Sequence, residues 1–167
     1  MRAWAIEPAV NPSVVRVHVA EQLTDRTIVT TPPATVATPI AGVLELEDVR
    51  TVDLHRYHLR VNLRAAADRE RTASSTVEVL AAGWGRPAAL PPDAGAKAFA
   101  VRHDGPRTVA ESAEMADGHP LLEALFAVDG VSEAIASDGL VLVRLGRLFS
   151  WAEREADVRD ALATARV

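Results

Sequence analysis

The fold is most clearly indicated by the sequence His119-Pro-Leu-Leu-Glu-Ala-Leu125, which is followed by Val131-Ser-Glu-Ala-Ile135 and by an apolar run from Leu140 to Leu145. It restates an order of residues found about eighty positions earlier, at 38–44, 49–54 and 57–63. Repetition at a fixed period indicates a repeated structural unit. We therefore predict two small related domains within a chain of 167 residues.

Hydrophobic periodicity predicts the same order of elements in both halves. The first half has strand patterns at 14–19, 27–31, 52–54 and 57–63, and helix patterns at 38–44 and 68–82. The second half has strand patterns at 98–101, 108–111, 131–135 and 140–145, and helix patterns at 120–128 and from 151 onward. The predicted fold class is α+β, with two tandem ββαββα domains. Each is expected to be a small four-stranded, mostly antiparallel sheet with two helices on one face.

Proline content sets the predicted boundaries. Residues 1–84 form the first repeat and residues 96–167 the second, while 85–95, with three prolines, is a semi-rigid linker. Two finer expectations concern the first repeat. Thr38 is expected to cap the helix that Pro39 opens. Tyr57 is expected to lie in the fourth strand, on the same face as Leu59.

Composition limits the possible functions. An apolar content of 49% is enough for packed cores, and the net charge of −5 argues against a nucleic-acid partner. The chain has no cysteine, which excludes disulfides, thiol catalysis and a cysteine-ligated cluster. It shows no signal-peptide pattern and no long apolar run, so we expect a cytoplasmic protein without membrane contact.

Two motifs resemble the N-terminal domain of Nfu/NifU-type scaffold proteins. Residues 7–12 read Glu-Pro-Ala-Val-Asn-Pro, similar to that family's Glu-Pro-x-x-Asn-Pro opening. Residues 119–131 are similar to its Pro-Leu-Ala-x-x-Leu-Phe-x-Ile-x-Gly-Val stretch, and Trp151 fits the start of its last helix. The first half departs from the helix motif at 44–49, and the second half departs from the opening motif at 91–96. We interpret the chain as a diverged tandem duplication of this domain.

The resemblance implies a role near iron–sulfur cluster assembly. In that family the cluster is normally held by a separate C-terminal domain with a Cys-x-x-Cys pair, which this chain lacks. The implied function is a non-enzymatic protein-binding or adaptor module without a cofactor, a monomer or homodimer whose partners are proteins of cluster assembly. The alternative is a small-molecule or metal-ion binding protein that uses the cleft between the two repeats.

Two sets of residues are candidate binding sites. Glu7, Pro8, Asn11 and Pro12 are expected to form a binding loop, although Asn before Pro also simply starts a turn into a strand. Leu140 and Leu142 give the last strand a second apolar face. We expect that the first repeat, the linker or a second chain covers them, the alternative being a chance pair of surface leucines.

The remaining chemistry-bearing residues carry no expected site. His55 and His58 are three positions apart, which on one strand places them on opposite faces, so we predict surface histidines and no metal site. The serines lack a nucleophile elbow, and the chain has no glycine-rich phosphate loop. We therefore predict no catalytic residue.

Overall fold

The computed structural model describes residues 3–7, 11–30, 38–93 and 95–165, which form a mixed α+β fold with two antiparallel sheets. In the described part of the chain, none of the helices is both long and apolar enough to span a bilayer.

The first sheet has five strands in the order β1-β2-β5-β4-β3. Its strands are β1 (Trp4–Glu7), β2 (Val14–Val19), β3 (Ile28–Thr30), β4 (Val49–Leu54) and β5 (His58–Leu63). The helices α1 (Ile40–Leu44) and α2 (Arg69–Trp84) complete what we call the N-terminal unit.

The second sheet has four strands in the order β6-β9-β8-β7. With helices α3, α4 and α5 it makes up the C-terminal unit. The elements are β6 (Ala96–Ala100), β7 (Thr108–Ala110), α3 (Ala113–Ala116), α4 (Pro120–Phe126), β8 (Val131–Ser137), β9 (Leu140–Leu145) and α5 (Trp151–Thr164).

Apart from β1, the two sheets have the same strand order and a similar register. β6, β9, β8 and β7 take the places of β2, β5, β4 and β3. The ladder between the central strands is irregular at matching points, between Val49 and Thr51 in one sheet and between Val131 and Glu133 in the other. Val14 faces Asn62 in the first sheet as Ala96 faces Arg144 in the second.

The prediction of two four-stranded sheets, each with two helices, is wrong in two details. β1 is a fifth strand of the first sheet, and α3 is a third helix of the C-terminal unit. A tertiary contact holds β1: the Trp4 ring is fully buried edge-on to Trp84 at 6.2 Å, and its Nε1 donates to the Gly85 carbonyl at 2.9 Å. A strand of only four residues has too short an alternation of apolar and polar side chains to be recognised from the sequence.

The expected cap of the first helix is also wrong. α1 begins at Ile40, Pro39 occupies the N-cap position, and no side chain caps the helix. The later helices do follow their sequence signals, since Asp68 caps α2 and Ser150 caps α5.

Each unit has its own core. In the N-terminal unit, inward residues of the sheet such as Val17 and Leu59 pack in one cluster with Leu80 of α2. In the C-terminal unit, Leu125 and Val158 share a cluster with the inner face of the second sheet. The opposite sheet faces are left for other contacts.

Tyr57 joins the two units, and the prediction that it lies in the fourth strand on the face of Leu59 is wrong. It lies in the turn between β4 and β5, it is 1% exposed, and it belongs to the core cluster of the C-terminal unit. Its ring packs edge-on against Phe149 at 4.8 Å, and its hydroxyl donates to Asp129 Oδ1 and accepts from Gly130 N, both at 2.9 Å. The hairpin tip of one unit is thus a core element of the other.

The junction is tightly packed around this ring. A Cβ on Gly146 would come within 2.9 Å of Tyr57, and Gly130 has a positive φ of 96° that suits glycine. Beside Tyr57, Arg56 Nη2 donates to the Phe126 carbonyl at 2.6 Å. These contacts fix the relative placement of the two sheets.

Replacing Tyr57 with Phe is expected to lower the free energy of unfolding by about 1–3 kcal/mol, because the buried Gly130 N–H loses its acceptor. Urea unfolding measures this change. Asp129→Asn is the matched control, since it keeps the Oδ1 acceptor at a largely exposed side chain and should cost under about 1 kcal/mol. A Tyr57→Phe variant as stable as the wild type would show that the hydroxyl does not hold the junction.

Candidate functional site

A cleft of about 580 Å³ opens between the two sheets. One wall is the face of the first sheet that points away from α1 and α2. Strand alternation places Arg16, His18, His58 and Arg60 on this face, because Val17 and Leu59 between them face the core. The opposite wall comes from the C-terminal unit and includes Glu111, Glu133, Arg144 and Arg147.

Arg16 and Arg60 lie directly opposite each other on β2 and β5. Both are exposed, and neither makes an ion pair with any residue that the structure describes. Asp53 lies opposite Arg60 on β4, but its carboxylate accepts a hydrogen bond from Asn62 at 2.9 Å. Like charges in directly opposed positions destabilise a sheet. This face therefore carries two opposed arginines that form no ion pair with a described residue, with the Asp53 carboxylate on the neighbouring strand.

The other cationic groups of the cleft walls are engaged. Glu7 lies opposite Arg16 at the edge of the sheet, yet its Oε2 is 2.9 Å from His18 Nε2 and its Oε1 is 3.3 Å from Arg147 Nε. On the second sheet, Arg144 Nε is 2.9 Å from Glu133 Oε2. Of the cleft arginines, Arg144 and Arg147 are thus paired with glutamates, whereas Arg16, Arg56 and Arg60 form no ion pair with a described residue.

His55 and His58 stack in the cleft with ring centroids 4.1 Å apart and planes 8° from parallel. The prediction that they occupy opposite faces is wrong. β4 ends at Leu54 and β5 begins at His58, so the two residues flank a hairpin turn, and His55 N donates to the His58 carbonyl at 2.9 Å. His18 lies beside them, its ring centroid 5.9 Å from that of His58.

These histidines are held neutral. Burial, with smaller contributions from the neighbouring His55, His18 and arginines, lowers the pKa of His58 from 6.5 to about 3. Burial also lowers the pKa of His55. For His18, burial lowers the pKa more than the hydrogen bond to the Glu7 carboxylate raises it. The histidines therefore add hydrogen-bonding groups to the cleft and no charge near neutral pH.

Among the described residues, no group of three or more His, Asp or Glu side chains has an arrangement that could hold a metal ion.

Arg56 anchors the floor of the cleft. It is 6% exposed, and its guanidinium lies between the rings of Tyr57 and Phe126, at 5.4 and 5.2 Å from their centroids. Nε donates to Gln22 Oε1 at 3.2 Å, whereas the buried Nη1 has no hydrogen-bond partner within the described residues. Its position couples the cleft to the junction between the units.

The expected binding loop is only partly brought to this site. Glu7 lines the cleft, while Asn11 and Pro12 are exposed and do not line it. Pro8 lies outside the described residues. Asn11 Oδ1 accepts from Ser13 N at 2.9 Å and the Asn11 carbonyl accepts from Val14 N at 3.2 Å. This is the turn into a strand that the alternative interpretation describes, and ligand binding by the loop stays a prediction.

Leu140 and Leu142 lie on the outer face of the second sheet, opposite Ala100 and Ala98 of β6. Leu140 is 42% exposed and Leu142 is half-buried. The N-terminal unit leaves Leu140 largely uncovered, so cover by a second chain stays a prediction.

Four arginines that line the cleft are not indicated by the sequence as site residues: Arg16, Arg60, Arg144 and Arg147. The polar side of β5 was visible in its alternation, but the pairing of Arg16 with Arg60 depends on the register between strands that are distant in sequence. Comparison of the chain with protein-family models, with curated proteins and with solved structures returns no match.

We predict that acid destabilises the protein through the buried histidines. Because the folded pKa of His58 is about 3 and the ordinary value is 6.5, the unfolded chain binds the proton more readily between these two values. The free energy of unfolding should therefore fall as the pH drops through this window. His58→Gln should reduce the loss between pH 7 and pH 5 by on the order of 1 kcal/mol.

Urea unfolding at several pH values measures this effect, and NMR titration of the His58 ring carbons provides the control. A His58 that titrates near 6.5 in the folded protein would contradict the assignment.

Proposed function

We propose that this chain is a non-enzymatic binding protein and that its ligand is a small anion held in the cleft between the two sheets. The observation that carries the proposal is the pair Arg16 and Arg60, directly opposed, exposed and without an ion pair to any described residue. A carboxylate or phosphate group between the two guanidinium groups would neutralise their repulsion and accept hydrogen bonds from both.

The charge of the cleft differs in sign from that of the chain. Five arginines and three glutamates line it, whereas the whole chain has a net charge of −5. Two of the glutamates are occupied by Arg147 and Arg144. A concave wall with a local excess of positive charge attracts anions by focusing the field. The volume of about 580 Å³ suits a small organic acid or phosphate compound.

The histidines favour binding over catalysis. A general base works best when its pKa lies near the operating pH, and the pKa of His58 is about 3. A neutral, stacked imidazole pair instead supplies one hydrogen-bonding wall of fixed orientation. The proposed role is therefore recognition of the anion without chemical conversion.

The adaptor interpretation remains the second candidate, and the matching strand orders of the two sheets favour it. Their common register and irregularity support a tandem duplication of a ββαββα unit, with repeats at 1–84 and 96–167 joined by 85–95. Together with the resemblance to the Nfu N-terminal domain, this duplication supports a protein that contacts iron–sulfur cluster assembly partners. The exposed Leu140 offers an apolar contact for them.

Isothermal titration with citrate and with inorganic phosphate tests the anion site. The wild type should bind at least one of them, and the double variant Arg16→Gln/Arg60→Gln should bind at least about tenfold more weakly. Without ligand, Arg16→Gln alone should be more stable than the wild type by about 0.2–1 kcal/mol, because a repulsive cross-strand pair is removed.

Arg107→Gln is the matched control, since Arg107 is exposed and lies outside the cleft. Equal affinity of the double variant and the wild type would contradict the proposal.

A native pull-down with the tagged full chain and purified cluster-assembly proteins tests the second candidate. We expect the wild type to retain at least one partner. The Leu140→Glu variant should lose it, because a charge replaces an exposed apolar contact. Val29→Glu, at a more exposed apolar position on the other sheet, should retain the partner. Retrieval of none of these proteins by the wild type would count against the adaptor role.

A further inference from the structure

The two sheets differ at one edge. In the first sheet β1 pairs with the outer edge of β2, whereas β6, the counterpart of β2, is itself the edge of the second sheet. Within the residues that the structure describes, no strand lies beyond β6. The second sheet thus has an open strand edge where the first has a covered one.

The chain before β6 is diverted elsewhere, which explains the open edge. Trp4 Nε1 donates to the Gly85 carbonyl, and Ala88 N donates to the Trp4 carbonyl at 2.6 Å, so the start of the linker is bound to the N-terminal unit. Pro87, Pro91 and Pro92 also lack the N–H groups that a strand would donate. The linker therefore does not supply a fifth strand to the second sheet.

The packing of β1 on the first sheet shows which side chains an added strand places at such an edge. Trp4 lies opposite Val19 and Ile6 opposite Val17, and both side chains join the first core. Trp4 inserts against Trp84 near the end of α2. The covering strand thus presents two inward apolar residues at alternate positions.

A groove of about 900 Å³ lies at the corresponding place in the C-terminal unit. The ladder register makes Phe99 the counterpart of Val17, and the next inward position, Val101, the counterpart of Val19. Both line the groove together with Leu162 near the end of α5, where Trp84 lies in the N-terminal unit. The groove therefore occupies the position that the side chains of a fifth strand would fill.

The edge of β6 has no protection against strand pairing. Natural edge strands usually carry outward charges or proline that prevent it. The single charge of β6, Lys97, points to the inner face, where its Nζ is 2.5 Å from Glu155 Oε2 and 5.2 Å from the Trp151 ring centroid. Ala96, Ala98 and Ala100 are exposed and uncharged. The backbone of this edge is open to another strand.

Charge at one end of the groove indicates the sequence that fits. Arg102 is exposed just beyond β6, lines the groove and makes no ion pair with a described residue. In the N-terminal unit the matching residue is Ala20, whose N–H donates to the Ala3 carbonyl, next to Trp4. A peptide that added to β6 as β1 adds to β2 would have its first inward side chain at the position of Trp4. The residue before it, at the position of Ala3, would then lie beside Arg102.

We propose that the β6 edge and the adjoining groove bind an extended peptide segment of a partner protein by antiparallel strand addition. The segment contains four consecutive residues in this order: an acidic residue, a large apolar or aromatic residue, a residue of any type, and a second apolar residue. Backbone hydrogen bonds to β6 hold it, the two apolar side chains fill the groove, and the acidic side chain pairs with Arg102. This site lies apart from the anion cleft and stands independently of it.

The test uses the full chain labelled with ¹⁵N and a blocked synthetic peptide, Asp-Trp-Ala-Ile-Glu, which places the residues of β1 behind an acidic residue. Addition of the peptide should shift the amide signals of residues 96–102 and slow their hydrogen exchange. Leu162→Asp should weaken binding at least about tenfold, because it places a charge in the groove. Met115→Asp, at an exposed apolar position of α3 outside the groove, should bind like the wild type.

Two further measurements make the test specific. Arg102→Glu should weaken binding of the Asp peptide and favour the same peptide with Lys in place of Asp. A peptide with Asn in place of Trp and Ile should cause no shifts. Shifts located outside residues 96–102 and the groove, equal binding by Leu162→Asp, or self-association of the free protein through residues 96–101 in sedimentation velocity would each overturn the proposal.

Discussion

The burial of Tyr57 in the core of the opposite unit is the interaction on which the arrangement of the molecule depends. A tyrosine at the tip of a hairpin is an ordinary surface residue unless another element covers it. Here the ring of Tyr57 contacts Phe149, and its hydroxyl forms hydrogen bonds with Asp129 and Gly130. These contacts hold the hairpin between β4 and β5 against the C-terminal unit. Because Arg56, His55 and His58 belong to the same hairpin, the contacts of Tyr57 also set the position of these cleft residues.

The two sheets use their outer faces differently although their strand orders match. The first sheet has a polar face with Arg16 opposite Arg60 and His18 opposite His58. In the second sheet, Leu142 and Leu140 occupy the positions that correspond to Arg60 and His58. The corresponding face of the second sheet therefore combines apolar Leu140 and Leu142 with Glu133 and Arg144, which line the cleft.

Much of the fold was predictable from local patterns, and the site was not. Two strands are indicated by the alternation of apolar and polar residues at 14–19 and 58–63. Two helices are indicated by their capping residues, Asp68 and Ser150. Each of these signals lies within a few residues of the chain. β1 was missed because the burial of Trp4 against Trp84 joins positions far apart in sequence. The stacking of His55 on His58 was missed because the rule for one strand does not apply across a hairpin turn. The opposed arginines depend on register, which periodicity within a single strand does not specify.

The central claim is that Arg16 and Arg60 together hold an anion. Side-chain NMR of the arginine Nε–Hε groups during titration with citrate tests it most directly, because it reports each guanidinium separately. We expect the signals of Arg16 and Arg60 to shift together and to saturate together, while the signal of Arg107 stays in place. Unchanged signals of Arg16 and Arg60 at citrate concentrations that shift other arginines would contradict it.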